Sequence, residues 1–119
     1  MGAKTGNIMQ QLTTAQLLNT HILVGKPNIL ICDFEYYPDW EAVNSVFTHW
    51  LNQNEFMIKE TIEGADRISW RLELNQQSFY FNYEELSESA WFETEDTESV
   101  IADNQTSGVI KAIMEKLSR

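Results

Sequence analysis

The chain has 119 residues, 43% of them hydrophobic and 12% aromatic, which suits one folded domain and excludes disorder throughout. Its 18 acidic residues against 8 basic ones give a net charge of -10, which repels nucleic-acid phosphates and anionic membranes, and the basic residues are scattered from Lys4 to Arg119. No apolar run approaches the length of about 20 residues of a membrane span, the first residues carry neither a secretory apolar core nor a myristoylation pattern, and the lone Cys32 excludes an internal disulfide, so a reducing cytoplasm is the expected setting.

Residues 1–25 read as a partly ordered N-terminal arm, followed by a single domain over 26–119. Within the arm, residues 14–19 fit one helical turn behind a Thr cap. The apolar run 21–24 fits either an edge strand or an arm that pairs with a second subunit. Residues 29–35 form the first clear strand, apolar on both faces at its start and so placed inside a sheet. Pro38 suits the first turn of a following helix, and Asp39 and Glu41 suit its positive end. Trp40, Val43, Val46, Phe47, Trp50 and Leu51 then recur at spacings of three and four, which predicts an amphipathic helix over 39–53.

A strand is expected over 55–63, with Phe56, Ile58 and Ile62 on one side. The turn Gly64-Ala65-Asp66 leads into the most regular pattern of the chain. Ile68, Trp70, Leu72 and Leu74 alternate with Arg67, Ser69, Arg71 and Glu73. After Asn75-Gln76-Gln77 the alternation resumes at Phe79, Phe81 and Tyr83, the signature of a β-hairpin with one buried face. A short strand follows at 90–93, an ambiguous acidic stretch at 94–104, and a helix over about 106–118. The order β-α-β-β-β-β-α predicts an α+β two-layer sandwich: a mostly antiparallel sheet with two helices packed on one face. The neighbour of strand 29–35 is left open by the pattern.

Chemistry-bearing groups are sparse. From Leu72 to Ile110 there is no Lys or Arg, and this span holds half of the acidic residues. Such a stretch can steer a basic partner by long-range attraction; the commoner role of a charge run is a solvated face that keeps a small protein dispersed. Asp33, Glu35, Glu84 and Glu85 offer carboxylates for glycosidic chemistry, which needs two of them at about 5–10 Å across a cleft. His21 and His49 stand apart, without metal-ligand spacing, and no phosphate-cradling glycine loop occurs. Cys32, next to Asp33 in an apolar strand, fits a buried structural cysteine rather than a nucleophile. Tyr36, Tyr37, Tyr80 and Trp91 fall on faces opposite or flanking the expected core, where exposed aromatics mark a partner surface.

Gly64-Ala65-Asp66, Ser69-Trp70, Asn82-Tyr83-Glu84 and the Ser87 to Trp91 segment resemble an uncharacterised family of short acidic gammaproteobacterial proteins, a domain of unknown function. The likeness covers roughly residues 55–93. It implies a bacterial cytoplasmic origin and no assigned activity, so no catalytic residue follows from it.

The expected function is a non-enzymatic acidic module that binds or regulates another protein, a basic one in the steering picture, and that can also form a homodimer. Its partner-binding residues are expected at Tyr80, Glu84, Glu85, Glu88 and Trp91. No cofactor, metal, nucleic acid or membrane is expected. The alternatives are a small carboxylate-based hydrolase and an acidic inhibitor or immunity-type mimic of nucleic acid.

Overall fold

A computed structural model describes residues 15–95 and 108–118. Six strands form one antiparallel sheet: β1 (Leu17–Leu23), β2 (Lys26–Phe34), β3 (Met57–Glu63), β4 (Arg67–Leu74), β5 (Gln77–Glu84) and β6 (Ser89–Thr94). Their order across the sheet is β1-β2-β6-β5-β4-β3. Helices α1 (Trp40–Gln53) and α2 (Gly108–Leu117) both pack on one face. The fold is α+β, in two layers, as the periodicities predict.

The alternation along β4 and β5 explains the core. Ile68, Trp70 and Leu72 stand opposite Tyr83, Phe81 and Phe79 and are buried with them. Leu30 and Phe92 extend the Phe81–Trp70 row across β2 and β6. Val43, Val46, Phe47, Trp50 and Leu51 of α1 close over these rows, joined by Val109, Ile110 and Ile113 of α2. Aromatic rings fill the middle, with Phe81–Phe92 centroids 4.8 Å apart and Phe34–Trp50 centroids 5.0 Å apart. Tilted and edge-on pairs of this kind are favoured by the ring quadrupoles. The indole of Trp70 is fully buried, and its N–H donates to Thr48 Oγ1 at 3.0 Å. Thr48 donates to Asn44 Oδ1, and Asn44 Nδ2 to Glu63 Oε1, so the buried donor is linked to the surface by a satisfied chain.

Strand 29–35 finds its neighbour in β6, with Ile31 opposite Trp91 and Cys32 opposite Ala90. It begins earlier than the pattern suggested, at Lys26, because β1 pairs along its other side. That pairing also overturns the helical turn expected over 14–19: Leu17, Leu18 and Asn19 are strand residues, since backbone groups that can join a sheet edge gain more there than in an isolated turn. Of the two readings of the run 21–24, the structure shows the edge strand for His21 to Leu23.

Pro38 lies outside α1. Asp39 occupies the N-cap position, and its carbonyl rather than its side chain accepts from Ala42 and Val43. At the other end, Phe56 N–H bonds to Leu51 O and Glu55 N–H to Asn52 O. This is a Schellman closure, and it places Glu55 at φ +64, where glycine is usual. It also delivers Phe56 into the core.

Ile62 does not share a face with Ile58. A register shift between Ile58 and Glu60 sets Ile58 against Leu72 but Ile62 against Ser69. One extra residue in an edge strand moves every later side chain to the opposite face. Ile62 is therefore 46% exposed on the side away from the helices. The hairpin turn is Asn75-Gln76, both at positive φ, with Leu74 paired to Gln77. Two left-handed residues match the twist of the flanking strands.

Candidate functional site

No described helix packs on the second face of the sheet, and the strand registers give its layout. One transverse row runs His21, Ile31, Trp91, Asn82, Ser69, Ile62, one residue from each strand. A second runs Ile29, Glu93, Tyr80, Arg71, Glu60. A third, at the β5–β6 turn, is Ser89, Glu84, Arg67. The face is thus mixed, with an aromatic centre and charges around it.

Tyr80 and Trp91 lie one diagonal step apart on β5 and β6, both half-buried. Trp91 Nε1 donates to Glu93 Oε1 at 3.2 Å, which holds the indole across its own strand. Arg67 reaches over from β4, and its guanidinium carbon stands 5.0 Å from the centroid of the Trp91 ring system. A stacked cation of this kind contributes about 0.5–1 kcal/mol at an exposed site. Arg67 Nη2 and Ser69 Oγ both donate to Asn82 Oδ1, at 3.1 and 2.6 Å. Arg71 pairs with Glu60 at 3.2 Å, and His21 lies 3.5 Å from Asp33.

Glu84 closes β5, while Glu85 and Glu88 belong to the turn beyond it. Ser87 Oγ donates to Glu84 Oε1 at 2.7 Å, and Glu85 N–H is anchored on Asp66 O at 2.8 Å. Glu88 takes φ +48 to complete the turn. Burial, then the charges of Glu88 and Glu85, push the Tyr83 phenol up to about 12. The β5–β6 hairpin carries all five residues expected to bind a partner: Tyr80 and Trp91 in the middle of the open face, Glu84 at the end of β5, and Glu85 and Glu88 in the turn. The part of the acidic stretch from 96 to 103 lies outside the described residues.

Two of the four flanking aromatics have other surroundings. Tyr37 stacks on Tyr83 with centroids 5.8 Å apart and faces Phe34 edge-on, so it belongs to the core margin. Tyr36 is exposed at the mouth of the β2–α1 connection. Cys32 is buried on the helix side, where burial and then the charge of Asp33 push its thiol far above the ordinary range. It is held as the neutral thiol, which is a poor nucleophile. Among the described residues no group of three or more His, Cys, Asp or Glu could hold a metal ion. A small cleft between the end of α1 and α2, lined by Gln53, Asn54, Glu55 and Lys116, contains one carboxylate rather than a pair.

Asn82 escaped the pattern reading. Its place between Phe81 and Tyr83 assigns it to the open face, where a polar residue is unremarked. Its burial comes from Arg67, Ser69 and Trp91 on neighbouring strands, which no local signal encodes.

A family model described as a protein of unknown function (DUF3630) matches residues 26–104. The match takes in β2 to β6 and α1, and leaves β1 and α2 outside. No curated protein and no solved structure matches the chain.

Proposed function

We propose, from the premise that the chain belongs to this family of unknown function, that the protein is a non-enzymatic acidic module that docks another protein on the open face of its sheet. The observation that carries the reading is the juxtaposition on one hairpin of Tyr80 and Trp91, on the face away from both helices, with Glu84, Glu85 and Glu88 at the adjoining turn. Aromatic side chains supply contact area at low entropic cost, and the carboxylates supply a field that draws a basic partner. The proposed setting is the bacterial cytoplasm. It is supported by the single buried cysteine, and among the described residues no helix is long and apolar enough to cross a membrane.

The test is capture of partners from a bacterial lysate by the purified protein at low and high salt. Fields between exposed charges fade beyond a Debye length of about 10 Å at 0.1 M salt. A partner held by the proposed face is lost at high salt, and is also lost from a Trp91→Ala variant. Replacing Glu84, Glu85 and Glu88 with Gln slows its association while the unfolding transition stays in place. A partner that ignores all four substitutions sinks the docking reading.

A homodimer is a second reading with its own observation. β1 contains no Asp, Glu, Lys or Arg, an uncharged edge strand in a strongly acidic chain. Edges without charge are open to pairing with a second copy. Sedimentation of a Thr20→Lys variant against the parent checks it: the parent dimerises and the variant does not. A monomeric parent at all accessible concentrations removes this reading.

A further inference from the structure

We infer that Arg67, Asn82 and Trp91 form a binding site for a carboxylate group on the open face. Asn82 is only 1% exposed. Its Oδ1 takes two donors, Ser69 Oγ and Arg67 Nη2, yet among the described residues its buried Nδ2 finds no acceptor. Buried donors are nearly always partnered, by protein, ligand or ordered water, so this one offers a place for an acceptor oxygen. The assignment of oxygen and nitrogen follows from the two donors, since a flipped amide would set Nδ2 against the Arg67 N–H.

Arg67 is the second, independent sign. In a chain of net charge -10 it has no carboxylate at ion-pairing distance among the described residues. Glu84 stands directly opposite it in the β4–β5 register but accepts from Ser87 instead. Arg67 reaches from β4 past Asn82 on β5 to the Trp91 ring on β6.

The unspent polar groups of this cluster are donors: the Asn82 amide N–H bonds and the remaining N–H bonds of the guanidinium. Their complement is a planar group with two acceptor oxygens and a negative charge. A carboxylate matches the guanidinium fork and leaves lone pairs for the amide. A neutral carbonyl offers one oxygen, and a phosphate dianion meets stronger repulsion from Glu84. Trp91 provides an apolar wall for the carbon to which the carboxylate is attached. Binding requires Arg67 to slide from the ring far enough to open Asn82, so the arginine is both ligand and cover. The site needs no docked protein and stands apart from the docking reading.

The experiment is a titration of the full-length, nitrogen-labelled protein with sodium acetate, followed by NMR at constant ionic strength with sodium chloride as the control. The Asn82 side-chain amide and the Trp91 indole signals are expected to move together and saturate, with a Kd on the order of millimolar. Arg67→Gln, at an exposed position, weakens binding about tenfold or more, as loss of a charge-assisted pair should. Glu84→Gln removes the competing charge and tightens binding. That last variant separates the two readings, because the same change weakens docking of a basic partner. Two blocked peptides distinguish the sources, one bearing a single Asp and an amidated end, the other a free C-terminal carboxylate. Tighter binding of either than of acetate names a protein carboxylate; equal binding names a free small acid. The inference is overturned if acetate moves these signals no more than chloride does in both the parent and Glu84→Gln. It is equally overturned if Arg67→Gln leaves the response unchanged. In either case the amide is satisfied by something other than a carboxylate, an ordered water being the simplest.

Discussion

Truncating Trp70 to alanine tests the architecture where the structure is most explicit. The indole is fully buried, with ring centroids 5.9 Å from Phe47 and 5.6 Å from Phe81. An aromatic of this size buries about 200 Å², which at about 25 cal/mol per Å² sets an upper bound near 5 kcal/mol. The lost N–H bond leaves Thr48 with one fewer partner, although Thr48 still donates to Asn44. The expected cost is about 4 kcal/mol, inside the usual range for an aromatic truncated in a core. A domain of this size holds only about 5–15 kcal/mol in all. Tm should therefore fall by roughly 15 °C. Urea unfolding followed by circular dichroism measures the change, and Trp70→Phe should cost about 1–2 kcal/mol by keeping most of the area and losing the hydrogen bond. Arg71→Ala, the next residue and on the opposite face, is the control. Its pair with Glu60 is largely solvated, so less than about 1 kcal/mol is expected. Equal effects at positions 70 and 71 would refute the assignment of faces.

Glu55→Gly should stabilise the protein by about 1 kcal/mol, because Glu55 occupies the left-handed closing position of α1 at φ +64; an unchanged or lower denaturation midpoint would count against that geometry. Cys32 should resist thiol reagents at pH 8 until the protein unfolds, and rapid labelling of the native protein would contradict its burial. Because burial raises the folded thiol's pKa, its stabilising contribution is complete below the unfolded value of about 9 and declines above it, by up to about 1.4 kcal/mol per pH unit. Cys32→Ala should remove that slope. Tyr83, raised from 10.0 to about 12, adds a further loss of stability between those two pH values, which a Tyr83→Phe variant should lack.

The sequence alone determined the elements and their faces wherever local pattern and burial coincide. The alternation 67–74 and 79–83 marked the core strands, and the spacing from Trp40 to Leu51 marked α1, because one side of each is wet and the other dry. The five residues expected to bind a partner stand out in the sequence as aromatic and acidic deviations from that core; Tyr80, Glu84 and Trp91 lie on β5 and β6, and Glu85 and Glu88 in the turn between them. Tertiary structure decided the rest. The face of Ile62 turned on a one-residue register shift that composition does not reveal. The conversion of residues 17–19 from an expected turn to strand depended on pairing with Asp33 and Phe34. The cluster of Arg67, Ser69, Asn82 and Trp91 is assembled from three strands whose order is set by long-range hydrogen bonds. Periodicity reports which side of a strand is dry; which neighbour a side chain meets there is a property of the sheet, because that neighbour comes from another strand.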